Sequence, residues 1–143
     1  MVVLLLVGSL TGCSETPEDV RADYCEQVTE RQAELTELLA DDSPDALLQA
    51  LPVFRDLAEG APRDVADEWT VLLDALEGLD EALADAGVDA AGYDAEQPPA
   101  GVTTEQQDAI ARAADQLFRP DVVTAYEGVK QHAKDVCKTP LFQ

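Results

Sequence analysis

The chain predicts an all-α, up-and-down bundle of four to five helices, and two observations carry that expectation. Apolar residues recur at spacings of three and four from Val20 to Val136, while the strict alternation of a half-buried strand is absent. The interruptions hold helix-starting and helix-stopping residues, such as Thr16-Pro17, Gly60-Ala61-Pro62, Gly87 and Arg119-Pro120. A chain of 143 residues is one domain. It is long enough to bury roughly two-thirds of its unfolded surface, and it carries no internal repeat.

The first helix is expected over residues 17–40. Thr16 is its N-cap, Pro17 its first-turn proline, and Glu18 and Asp19 lie where the positive helix end favours acids. Val20, Tyr24, Val28, Leu35, Leu38 and Leu39 form its inner stripe. Asp41-Asp42-Ser43-Pro44 ends it and caps a second helix over about residues 44–59, with Leu47, Leu48, Leu51, Phe54 and Leu57 inside. Pro52 cannot donate to the Leu48 carbonyl, so a kink or break is expected there.

The third helix is the clearest. Val65, Trp69, Leu72, Leu76, Leu79, Leu83 and Ala86 form an unbroken a/d seam, closed by Gly87 as the C′ residue. At 1.5 Å per residue it is expected to be about 37 Å long. Residues 87–102, rich in Gly, Pro and Ala, form a long loop, a length that marks either mobility or function. Thr104-Glu105-Gln106-Gln107 fits a capping box opening a fourth helix through Phe118, with Ile110, Ala113, Ala114 and Leu117 inside. Arg119-Pro120 breaks it. A fifth helix, over residues 121–138, repeats the seam at Val122, Tyr126, Val129, Ala133 and Val136.

Thirty acids against nine bases give a net charge of −21. That excludes nucleic acid as a partner, because phosphate binding needs Lys and Arg to displace counterions. Asn is absent and Ile occurs once, a usage that fits a G+C-rich coding sequence and accounts for part of the acidity.

Residues 2–10 are apolar or small, too short for a membrane span of ~20 residues but the right length for the core of a signal peptide. They end in Leu10-Thr11-Gly12-Cys13: an aliphatic residue, two small residues and a cysteine. This motif resembles the lipobox of bacterial lipoproteins. The chain as a whole resembles, more generally, small exported helical lipoproteins of high-G+C Gram-positive bacteria. The resemblance implies that residues 1–12 are a signal peptide and that Cys13 carries a diacylglycerol. The remainder would then stand on the outer face of the cytoplasmic membrane. No basic residue precedes the apolar run, so the translation start is expected upstream. Residues 13–16 would be a leash reaching ~14 Å, residues 17–138 the bundle and residues 139–143 a tail. On so short a leash the domain is expected almost on the bilayer.

Lipidation of Cys13 also resolves an odd cysteine count. Cys25 and Cys137 remain, a natural disulfide in an oxidising compartment. They lie near the start of the first helix and the end of the last, which share a pole when the number of long antiparallel helices is even. The bridge would close a loop of about 110 residues, valued at ~4–5 kcal/mol by chain-entropy reasoning. With no C-x-x-C and a single histidine, a redox or metal role for the pair is not expected.

Lys130, Lys134 and Lys138 stand four apart on the fifth helix. They complement its negative end and are expected to pair with acids such as Glu26 or Glu30. A sharper reading turns this stripe towards the anionic lipid surface. Asp85, Asp89, Asp94 and Glu96 surround the long loop and offer oxygens to Ca²⁺, but the D-x-D-x-D-G order of an EF-hand is missing. Ser14 and Ser43 fit leash and cap, and His132 is expected to be solvated, so no catalytic residue and no cofactor are assigned. The expected function is a non-enzymatic binding or structural module meeting an envelope protein or ligand. The alternative is a carrier of metal ions or small ligands, using the 85–96 loop or a cavity in the bundle.

Overall fold

The computed structural model describes residues 14–40 and 45–143. The apolar run, the motif ending in Cys13 and the cap at Asp41-Asp42-Ser43-Pro44 lie outside the described residues. Five helices follow in order: α1 (Pro17–Leu38), α2 (Ala46–Glu59), α3 (Ala66–Asp85), α4 (Thr104–Gln116) and α5 (Pro120–Asp135), with no strand among the described residues.

These five helices make four struts. α3 is the central one, packed against α2, α4 and α5, while α1 packs broadly on α2. Partners along α3 fall in sequence as those along α4 and α5 rise. Gln106 bonds the Asp85 carbonyl, Ile110 packs with Leu83 and Leu79, Gly128 faces Glu68 and His132 meets Asp64. α4 and α5 therefore run end to end along α3, antiparallel to it, as one strut interrupted at Arg119-Pro120. The proline cannot donate to the Gln116 carbonyl. The turn is closed by short-range bonds from Leu117, Phe118 and Arg119 to carbonyls three residues back. An even number of struts returns the end of α5 to the end where α1 begins. Cys25 and Cys137 meet there in a disulfide, with Cα atoms 5.0 Å apart across a sequence separation of 112.

The core has two layers. The main cluster gathers Tyr24, Val28 and Leu35 from α1 and Ala50, Leu51, Val53, Phe54 and Leu57 from α2. Val65, Trp69, Leu72, Ala75 and Leu76 join them, with Val122, Val129, Ala133 and Leu141. A smaller cluster of Leu79, Leu83 and Ile110 lies at the opposite end, where Val88, Ala90 and Tyr93 of the long loop pack against it. The loop thus covers the end of the bundle. Six of the seven seam residues expected in α3 are buried, from Val65 to Leu83.

Local differences from the sequence expectation have identifiable causes. α2 runs unbroken through Pro52, which sits on its exposed face. Burial of Leu51, Val53, Phe54 and Leu57 on either side of Pro52 holds the helix together. α3 is shorter than expected, about 30 Å for its 20 residues, because Val65 and Ala86 are its caps and not its first and last turns. α4 is capped by Thr103, not Thr104. The Thr103 hydroxyl accepts from the Gln106 N–H at 3.2 Å and the Gln106 side chain accepts from the Thr103 N–H at 2.9 Å. This register leaves the Gln106 amide free to donate to Asp85 at the end of α3. α1, α4 and α5 each end two or three residues short of the expected limits, at Leu38, Gln116 and Asp135. Residues 139–143 are not a loose tail: Leu141 is 2% exposed, within the main core.

Candidate functional site

The richest chemistry lies at the disulfide end of the bundle. The apolar spacing that buries one stripe of α1 also buries Tyr24 there, and the seam of α3 brings in Trp69. The Trp69 indole N–H donates to the Tyr24 hydroxyl at 3.0 Å, entirely inside the core. Burial pushes the Tyr24 phenol up to about 12; the bond from Trp69 lowers it in part and the Asp64 charge raises it again. The His132 ring packs edge-on to Tyr24, 5.7 Å between centroids.

His132 is the main departure from the sequence reading. Its side chain is only 9% exposed, so it is not solvated. Nε2 lies 3.3 Å from an Asp64 carboxylate oxygen, while Nδ1 is buried with no hydrogen-bond partner among the described residues. α5 turns His132 inward because it adjoins Ala133, a residue of the core face. The pair it forms is 68 residues apart in sequence, and no local pattern announces it.

The lysines are brought to one side but not to one task. Lys130 bonds Glu127 at 2.9 Å and lies over the rings of Tyr126 and Phe142, at 5.2 and 5.7 Å. Among the described residues its ion pair is with this neighbour, not with Glu26 or Glu30. Lys138 donates to the Asp135 carbonyl, and Lys134 is exposed beside a shallow groove of about 200 Å³ formed with Pro140, Leu141 and Phe142. The stripe climbs the side of the bundle, away from Lys138. Cys25, to which Cys137 is bonded, lies eight residues into α1, about 12 Å along the helix axis. Six of residues 17–23 are exposed and Val20 is half-buried, so the first two turns of α1 project from the bundle. These exposed turns are acidic, carrying Glu18, Asp19 and Asp23.

Two of the loop acids are engaged within the loop itself. Asp89 accepts from the Gly92 N–H and Asp94 from the Glu96 N–H, both at 2.8 Å, so both carboxylates close local turns. No group of three or more His, Cys, Asp or Glu side chains among the described residues is placed to hold a metal. Asp85 uses its backbone carbonyl, not its carboxylate, to receive Gln106. Acids do converge between α1 and α2, where Glu30, Glu34, Asp56 and Glu59 line a groove of about 410 Å³. Arg31 lines the groove with them, bonding Glu34 at 3.0 Å and Asp56 at 2.9 Å. No helix among the described residues is long and apolar enough to cross a membrane.

Together these features define an all-α bundle of four struts, closed by a disulfide and carrying a buried Tyr–Trp–His cluster. No protein-family model matches the chain, and neither curated proteins nor solved structures give a match.

Proposed function

We propose that this chain is a lipid-anchored module on the outer face of the cytoplasmic membrane. It works there by binding or bracing another envelope component, without catalysing a reaction. One observation carries this reading. The Cys25–Cys137 bridge takes two of the three cysteines and leaves Cys13, the residue that ends the lipobox-like motif. A bridge of this kind persists in oxidising compartments, which supports export. The start of α1 at Pro17, just after that cysteine, supports a tether that joins the fold directly. The two projecting turns of α1 lengthen the leash by about 10 Å, so the body of the bundle stands off the lipid surface.

The test is partition and labelling of the full chain expressed in a bacterial host. The parent should enter the detergent phase and incorporate radiolabelled palmitate, and Cys13→Ala should do neither. A Cys13→Ala chain that still incorporates palmitate overturns the reading. Co-purification from detergent-solubilised membranes then identifies the component bound, and saturable heat with Ca²⁺, Mg²⁺ or Zn²⁺ would instead favour a carrier.

A further inference from the structure

α1 is held unevenly. Its one broad helix partner is α2, and only three of its 22 residues, Tyr24, Val28 and Leu35, are buried. Tyr24 reaches Trp69 of α3 and the ring of His132, and the last residues of the chain, 137–143, add further ties, lying along α1 as a strap. The ties rise together in both segments: Cys25 to Cys137, Gln32 to the Pro140 carbonyl at 2.6 Å, and Thr36 to the Gln143 N–H at 3.0 Å. The strap therefore runs parallel to the helix, with Leu141 pressed into the core between the last two ties. Both of those hydrogen bonds are exposed, where water competes for the same groups. The covalent tie lies at the root of the strap, between cysteines that are half-buried and not sealed.

We propose that the Cys25–Cys137 bridge is a redox-operated clasp. Reduction by a dithiol opens the seam between α1 and the strap, while α2, α3, α4 and α5 stay packed. A thiolate of the dithiol attacks one sulfur and forms a mixed disulfide, and the other cysteine leaves and takes up a proton. The second thiol of the reductant then displaces the first cysteine, giving two cysteine thiols and one oxidised dithiol. Once the bridge is open, two exposed hydrogen bonds and the packing of Leu141 hold the strap to α1, and α1 keeps its core contacts through Val28, Leu35 and Tyr24, the last bonded to Trp69 and in edge contact with His132. The contacts of α3 with α2, α4 and α5 do not pass through the bridge. The helix that opens is the one that follows Cys13 in sequence, so the clasp sets how firmly the bundle holds the helix next to that residue. The clasp itself does not depend on lipidation.

Hydrogen exchange read by mass spectrometry on the full chain, oxidised and after dithiothreitol, tests this. Exchange over residues 17–38 and 137–143 should rise at least tenfold relative to residues 66–85. A Cys25→Ser/Cys137→Ser chain should reproduce the difference without reductant. If α3 accelerates along with α1 to within that factor, or neither changes, the bridge is a general staple and the clasp is refuted.

Discussion

The bond from the Trp69 indole to the Tyr24 hydroxyl joins two fully buried side chains, alone among the side-chain hydrogen bonds of the described residues. Tyr24→Phe keeps the ring and removes the acceptor, leaving a buried N–H unsatisfied. We expect a loss of about 1–3 kcal/mol, measured by urea unfolding; a change below ~0.5 kcal/mol would mean that the indole finds another acceptor. The same phenol sets a pH dependence. Its folded pKa, about 12, lies above the ~10 of an unfolded tyrosine. Its contribution is complete below pH ~10 and falls as pH rises towards 12, by up to about 1.4 kcal/mol per pH unit. Tyr24→Phe should flatten that alkaline decline. Asp19 works in the opposite sense. Hydrogen bonds from the Thr16 side chain and backbone hold its carboxyl below the ordinary carboxylate range. The first turn of α1 therefore keeps this support above that range and loses it as pH falls below it.

At the scale of elements, α3 offers one substitution with two opposite signs. Gly87 has φ 70 and closes the helix, with its own N–H bonded to Ala84 and the Val88 N–H bonded to Leu83. Gly78 lies on the exposed side of the helix interior. A Cβ at either position meets nothing within 4 Å, so only the backbone decides. Gly87→Ala should cost about 1 kcal/mol and Gly78→Ala should gain about 0.5–1 kcal/mol, both read from thermal melts. Equal signs would show that the left-handed closure is not what ends α3. Pro52→Ala should also stabilise, by roughly 1–3 kcal/mol, by restoring a donor to the Leu48 carbonyl. These elements are readable in the sequence because their causes are local. The seam from Val65 to Leu83, the cap at Thr16 and the closure at Gly87 each rest on residues within a turn or two. The capping box of α4 is displaced by one residue from its sequence expectation because Gln106 is chosen by a partner at Asp85, across the long loop. Leu141 follows Pro140 with no periodic neighbours, so nothing nearby marks it as core.

Across the whole molecule, what escapes the sequence is how the struts are counted. Five helical segments are legible, but that α4 and α5 form one strut depends on both lying on α3, a tertiary fact. His132 is missed for the same reason, since the surfaces that bury it come from α1 and from the turn before α3. Charge, by contrast, is a whole-chain property that composition states outright, and it leads to a further expectation. Among the described residues, the five ion pairs of Arg31, Arg55, Arg119 and Lys130 all have side chains at least a third exposed, so each is worth little, and salt removes only that small amount by screening it. Against them stands the mutual repulsion of a chain at −21, which favours expansion and which salt screens over a Debye length that falls from about 30 Å at 0.01 M to about 3 Å at 1 M. Repulsion dominates, so added NaCl should stabilise the fold. We expect a gain on the order of 1 kcal/mol between 0.01 and 0.5 M, hence a rise in melting temperature of roughly 2–5 °C. A melting temperature that falls over this range would mean that the ion pairs outweigh the repulsion. Arg31, bridging α1 and α2 through Glu34 and Asp56, would then be the first residue to replace.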